Sequence, residues 1–185
     1  MNYLAIGIHC LLGTVFLVSF IGKAAGRNAI NAFVNSVHDM HLLPQDLVKP
    51  VALTVVAAEL TVFALLVIPA PVAATVGFGA AAGLLIIFTI SIALTLRRGA
   101  RTPCLCFGVS TTPLGIRHIV RNAALVAAAM VGAAITPVTG PMELGGVAVA
   151  LFGGLTLGGL VTVFDDMVEL FRPTAKTSDA ARSLL

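Results

Sequence analysis

The residues best able to do chemistry are two thiols one residue apart, Cys104 and Cys106, in the segment Arg101-Thr-Pro-Cys-Leu-Cys-Phe-Gly108. If the chain bends, their Cα atoms fall within the roughly 4.4 to 6.8 Å that a disulfide needs, and Pro103 and Gly108 favour a bend. A ring this small is strained, and a strained disulfide is the labile, oxidising kind rather than a permanent staple. Arg98, Arg101 and Arg117, close by in sequence, stabilise the thiolate, which is the form that exchanges. Redox exchange, metal ligation and a pair of unused surface thiols all stay open at this point.

Other candidates stand inside apolar runs. Glu59 interrupts one such run, and a carboxylate within a membrane is costly enough to mark a functional site by default. Thiol oxidation releases protons as well as electrons, which gives Glu59 a role as proton acceptor; the structural alternative is an interhelical hydrogen bond to Ser, Thr or His. Cys10 is a candidate third thiol or else a small buried hydrophobe. It lies about seven residues from the outer end of the first run, on the order of 10 Å deep at 1.5 Å per residue. Glu59 lies about nine residues from the outer end of its own run, which predicts a similar depth. His9 points to another face of the helix than Cys10, and if it faces the bundle it reaches Glu59. A rival donor set for zinc or copper comprises His38 and His41, expected on one helical face, with His118, Cys104 and Cys106. No Cys-x-x-Cys and no closely spaced His pair of the usual zinc type supports it.

The elements that must position these residues follow from composition. The chain has 185 residues, of which 58% are hydrophobic and only 10% charged, with mean hydropathy +1.05. Soluble domains carry about 25% charged residues, and a core in a chain this short cannot absorb the apolar excess. An integral membrane protein follows, and a soluble enzyme, a DNA-binding module and a disordered chain are excluded. Five segments approach the roughly 20 apolar residues needed to cross about 30 Å of hydrocarbon: 3–22, 47–68, 72–96, 116–136 and 144–164. Runs of this length in lipid must be helices, because each has to satisfy its own backbone hydrogen bonds. The fold class is therefore an all-α bundle of about five transmembrane helices.

Pro69-Ala70-Pro71 and the stretch from Pro137 to Pro141 make tight hairpin turns on one side, which carries almost no charge. All 11 basic residues lie on the other side, in the connections 23–49 and 97–121 and in the tail. The positive-inside rule makes that side cytoplasmic and places the N-terminus outside. The first helix has no basic stretch before it, so it is expected to remain in the mature chain. Between Lys23 and Gln45, Ala29, Ile30, Phe33, Val34, Val37, Met40 and His41 recur at helical spacing among Asn28, Asn31, Asn35 and Asp39, which predicts an amphipathic interfacial helix ended by Leu43-Pro44; a helix that only caps the bundle is the alternative. One domain is expected over 1–171, with a polar, disordered tail over 172–185.

The pattern Pro103-Cys104-x-Cys106-Phe107-Gly108, then Arg121-Asn122 near the head of the next helix, with Lys23, Phe33, Leu43-Pro44 and Glu59 upstream, resembles the MauE-like branch of the MauE/DoxX redox-associated membrane proteins. The similarity covers roughly residues 20 to 130. It implies a four-helix DoxX-like core plus one helix, thiol-disulfide redox chemistry at Cys104 and Cys106, and a thioredoxin-like or protein-maturation partner, as in founding members that help mature a disulfide-rich periplasmic dehydrogenase subunit for methylamine utilisation. By the same analogy Arg121 joins Glu59 and Cys10 among the site residues, and a quinone could serve as electron acceptor. One conflict stands out. The basic residues put the Cys-x-Cys segment on the cytoplasmic side, where thiols are kept reduced; transfer across the membrane through Cys10 and Glu59 would resolve it.

A reading from a different class is a non-catalytic subunit that holds a membrane redox complex or an oligomer together. Gly154-x-x-x-Gly158 and Gly79-x-x-x-Gly83 both permit close helix approach. Phosphate-binding loops and nucleophile elbows are absent from the sequence, and Asp165-Asp166 reads as a solvated helix end.

Overall fold

The computed structural model describes residues 2–98, 115–135 and 143–170, with side chains placed from residue 3 to residue 163 within those ranges. Cys104, Cys106 and the tail expected over 172–185 lie outside the described residues. Six helices run in the order α1 (Asn2–Ala24), α2 (Arg27–Asp39), α3 (Gln45–Val67), α4 (Pro71–Arg97), α5 (Ile116–Ile135) and α6 (Leu144–Leu170). Among the described residues there is no strand, and five helices, all but α2, are long and apolar enough to cross a membrane. The protein is a multi-pass membrane protein.

Local chemistry sets the boundaries. Gly26, at φ 118°, turns the chain between α1 and α2 where a side chain would be strained. Pro44 precedes the first turn of α3, and Pro71 takes the first position of α4, where its missing N–H costs nothing. Each boundary falls within a few residues of the apolar segments, except that α6 continues past Phe164 to Leu170. The apolar span within it stops at Val163, but a helix needs no apolar side chains once it leaves the bilayer, so Asp165 and Asp166 lie inside α6 rather than at its end.

The spanning helices α1, α3, α4 and α5 form a ring in which each packs on its neighbours, closed by the α5 contact with α1. Leu12, Val15 and Phe16 of α1 point into the ring against Val62, Phe78, Leu85, Ile92, Leu125 and Ala129. The outside carries Val72, Val76, Ile87, Ile90, Met130 and Phe152 in the open, a surface that suits acyl chains and not water. Helix α2 lies against α1 and α3, burying Phe33 and Ser36.

The last span, α6, packs mainly on α1. A Cβ on Gly154 would run into the Gly7 carbonyl and the Cys10 Cβ, and one on Gly158 would come within 2.8 Å of Thr14 and 2.9 Å of the Leu11 carbonyl. Gly154-x-x-x-Gly158 thus acts within the chain. The Glu143 N–H donates to the Tyr3 hydroxyl oxygen at 3.0 Å, fixing the other end of the same pair. Gly79 and Gly83, by contrast, face open space with no atom within 4 Å of a built Cβ, so that motif brings no described helix close.

Candidate functional site

The polar centre of the bundle is built where α1, α2, α3 and α4 meet. On α3, Glu59 falls on the buried face with Val48, Ala52, Val62 and Leu66. On α1, Ser19 and Lys23 are four residues apart and so share a face. Side chains on a helix lean toward its N-terminus, so Lys23, although in the last turn of α1, reaches back into the bundle.

Three polar atoms close a triangle there. Lys23 Nζ lies 2.7 Å from Glu59 Oε1, the Ser19 hydroxyl donates to the same oxygen at 2.8 Å, and Lys23 Nζ donates to Ser19 Oγ at 2.6 Å. Lys23 is 1% exposed and Glu59 0%. Two rings flank the cation: Phe33 of α2, with its centroid 5.0 Å from Nζ, and Phe88 of α4 at 5.8 Å. An isolated charge could not be held here, but a pair with charge-assisted hydrogen bonds can be. Removing either partner from such a pair typically costs ~3–5 kcal/mol.

One oxygen of the carboxylate takes both hydrogen bonds. The other, Oε2, is buried without a hydrogen-bond partner among the described residues, as are both amide atoms of Asn122 on α5. These orphans sit at one level. Ile8 of α1 meets Gly132 of the antiparallel α5, 3.0 Å from a built Cβ. Ser19 lies 11 residues beyond Ile8, and Asn122 lies 10 residues before Gly132, about 15–17 Å along the axis in each case at 1.5 Å per residue. The Thr95 hydroxyl, also fully buried, is satisfied by the Ser91 carbonyl at 2.8 Å.

The remaining candidates separate. Cys10 is half-buried against Gly154 at the α1–α6 contact. It is nine residues, about 13 Å, along α1 from Ser19, so the expected common depth with Glu59 does not hold: helix ends that looked level in sequence are offset in the bundle. Nor does His9 reach Glu59. Its Nδ1 bonds the Ala5 carbonyl at 2.9 Å, and its ring meets Phe78 edge-on at 4.5 Å.

His38 and His41 do not share a helical face, because α2 ends at Asp39 and His41 takes φ 51°. Both are exposed, with ring centroids 5.9 Å apart, whereas His118 is buried on the inner face of α5 with Asn122 and Leu125. Among the described residues no group of three His, Cys, Asp or Glu side chains is placed to hold a metal ion. Arg121 is half-buried beside Arg117, Val120 and Val161 in a cleft of about 410 Å³ between α5 and α6.

Lys23 is the residue that charge counting misplaces. Counted among the basic residues that mark one membrane face, it is instead the counter-ion of Glu59. The signal was in the sequence: a serine one turn before the lysine, and a glutamate in the next spanning helix.

A multi-pass helical membrane protein with a buried, aromatic-flanked ion pair between two spans is the class that this geometry defines. The chain belongs to the MauE family: the family model described as methylamine utilisation protein MauE matches residues 1–135, which are α1 to α5 and leave α6 beyond the matched region. No curated protein and no solved structure matches the chain.

Proposed function

We propose that this MauE-family protein is a membrane thiol-disulfide redox protein in which Cys104 and Cys106 exchange with a thioredoxin-like or protein-maturation partner. What carries the reading is the Cys104–Cys106 pair together with the family match, and the structural observation that supports it is the buried Lys23–Ser19–Glu59 triangle, whose Oε2 takes no hydrogen bond from a described residue. It stands on the side of the bundle where α4 ends at Arg97 and α5 begins at Ile116, the two helices that carry the Cys-x-Cys segment between them.

The exchange balances without an added oxidant. A thiolate of the pair attacks the partner disulfide, forming a mixed disulfide and releasing one partner thiolate. The second cysteine attacks the mixed disulfide, leaving a Cys104–Cys106 disulfide and a partner dithiol. Two electrons pass to the partner; one proton comes from the resolving thiol, and the second, already lost when the attacking thiolate formed, comes from solvent. In this reading Glu59 Oε2 takes up a proton from the resolving thiol and returns it to the leaving thiolate, while Lys23 and Ser19 hold the carboxylate in place. The reverse sequence oxidises the partner.

The distribution of arginine and lysine favours a cytoplasmic Cys-x-Cys segment and an external N-terminus. Cys10, packed on Gly154, fits a packing role better than that of a third thiol. The test is mixed-disulfide trapping with a thioredoxin-like protein. The Cys104→Ser and Cys106→Ser single variants should between them yield a covalent complex that reductant dissolves, and the double variant should yield none. If neither single variant forms a complex while the double variant supports the same activity as the wild type, the redox reading fails and a scaffold role replaces it.

A further inference from the structure

A second feature of the fold lies outside that chemistry. An apolar groove of about 200 Å³ runs between α2, α3 and α4, walled by Val37, Met40, Val55 and Ile92, with Phe33 and Phe88 among its lining. Val51 and Ile87, which also line it, stand exposed and belong to the surface that faces acyl chains. The groove therefore opens sideways into the bilayer, and what enters it comes from there.

A cation stands at its membrane-surface end. Ile87 and Ser91 fall on one face of α4, and Arg98, which caps the helix in a helical conformation, continues that face at i+11, about 10 Å beyond Ser91. Arg98 Nη1 donates to the His41 carbonyl at 2.6 Å, and Arg98 is otherwise exposed. Arg97 is adjacent. Asp39, the acid nearest in sequence to His41, lies 3.5 Å from His38 Nδ1.

From this arrangement we infer that the α2–α3–α4 groove binds one anionic phospholipid, with an acyl chain against Val55 and Phe88 and the phosphate at Arg98. Only a molecule with both a hydrocarbon chain and a surface-level anion matches both ends of the site. Arginine suits the phosphate because its planar fork donates two parallel hydrogen bonds, and the bond from Nη1 to the His41 carbonyl leaves the other side of the fork facing outward. The bound chain would press on Phe33 and Phe88, the two rings that flank Lys23, and so stiffen the wall of the ion-pair site.

Native mass spectrometry of the full chain, released from micelles holding equal phosphatidylglycerol and phosphatidylcholine, tests this. The wild type should retain one lipid with about five-fold preference for phosphatidylglycerol, the selectivity expected of a basic residue at the surface. Arg98→Gln should bring the ratio to about unity, Arg98→Lys should keep part of it, and Ser91→Phe should lose the lipid of either kind. Because each ratio is internal to one variant, a general loss of stability does not mimic the result. A wild-type ratio near unity, a ratio unchanged in Arg98→Gln, or an unchanged lipid count in Ser91→Phe overturns the inference.

Discussion

Lys23, in the last turn of α1, and Glu59, in the middle of α3, meet at 2.7 Å with both side chains out of contact with solvent. The pair joins two spanning helices at a depth where lipid gives no help to a charge, so each residue is tolerated only because of the other.

Stability should register that dependence. Lys23→Met and Glu59→Leu each leave one unpaired buried charge, and each should lower unfolding stability in detergent by ~3–5 kcal/mol. The Lys23→Met/Glu59→Leu double variant removes both charges and should recover most of that loss. A thermal-melt double-mutant cycle checks it; additive losses would mean that the two side chains do not depend on one another.

Glycines give a contrast within one molecule. Gly154→Leu and Gly158→Leu force side chains into the backbone of α1 and should detach α6 from it. At Gly79 and Gly83 a Cβ meets nothing within 4 Å and both positions are exposed, so Gly79→Leu and Gly83→Leu should leave the melting temperature near that of the wild type. Protease accessibility of α6 with a melting curve for each variant would report the difference.

Cys10 borders the same contact. Shortening it to Ala removes little and should change stability by no more than about 1 kcal/mol, in line with a small hydrophobe at a partly buried place. Cys10→Leu should be worse, since the added bulk meets Gly154. Mixed-disulfide trapping by the Cys104–Cys106 pair should be unaffected by Cys10→Ala; loss of trapping would restore Cys10 to the exchange.

Phe33 brings a ring of α2 to the ion-pair site. Replacing it with Leu keeps an apolar contact and loses the ring face toward Lys23, which should cost about 0.5–2 kcal/mol. In a Lys23→Met background the same change should cost less, and equal costs in both backgrounds would remove the cation–ring interaction from the account.

Much of the fold was legible in the sequence because lipid imposes it. Apolar length alone placed five spanning helices, and the period of Phe33, Val37 and Met40 placed α2. The site was less legible. Glu59 announced itself as a charge in an apolar run, but its partner did not, because a lysine at a helix end reads equally well as a surface anchor and as a residue leaning back into the bundle. Relative depth was also hidden. Counting from the outer ends aligned Cys10 with Glu59, whereas packing offsets α1 from α3 and aligns Glu59 with Ser19 instead. His41 departed from its helical pattern because α2 stops at Asp39 and the chain turns through a positive φ that no periodicity reveals. The redox assignment itself rests on Cys104 and Cys106 and on the family, and one measurement bears on it most directly.

In a Cys10→Ser background, Cys104 and Cys106 are the only thiols left, so their state and side can be read by labelling with a membrane-impermeant maleimide. The account predicts labelling only after both lysis and reduction, the behaviour of a cytoplasm-facing disulfide in use, with a changed oxidised fraction when Glu59→Gln removes the proton acceptor. Thiols that label on lysis without any reductant, in the same amount with Glu59 or Gln at that position, would contradict it.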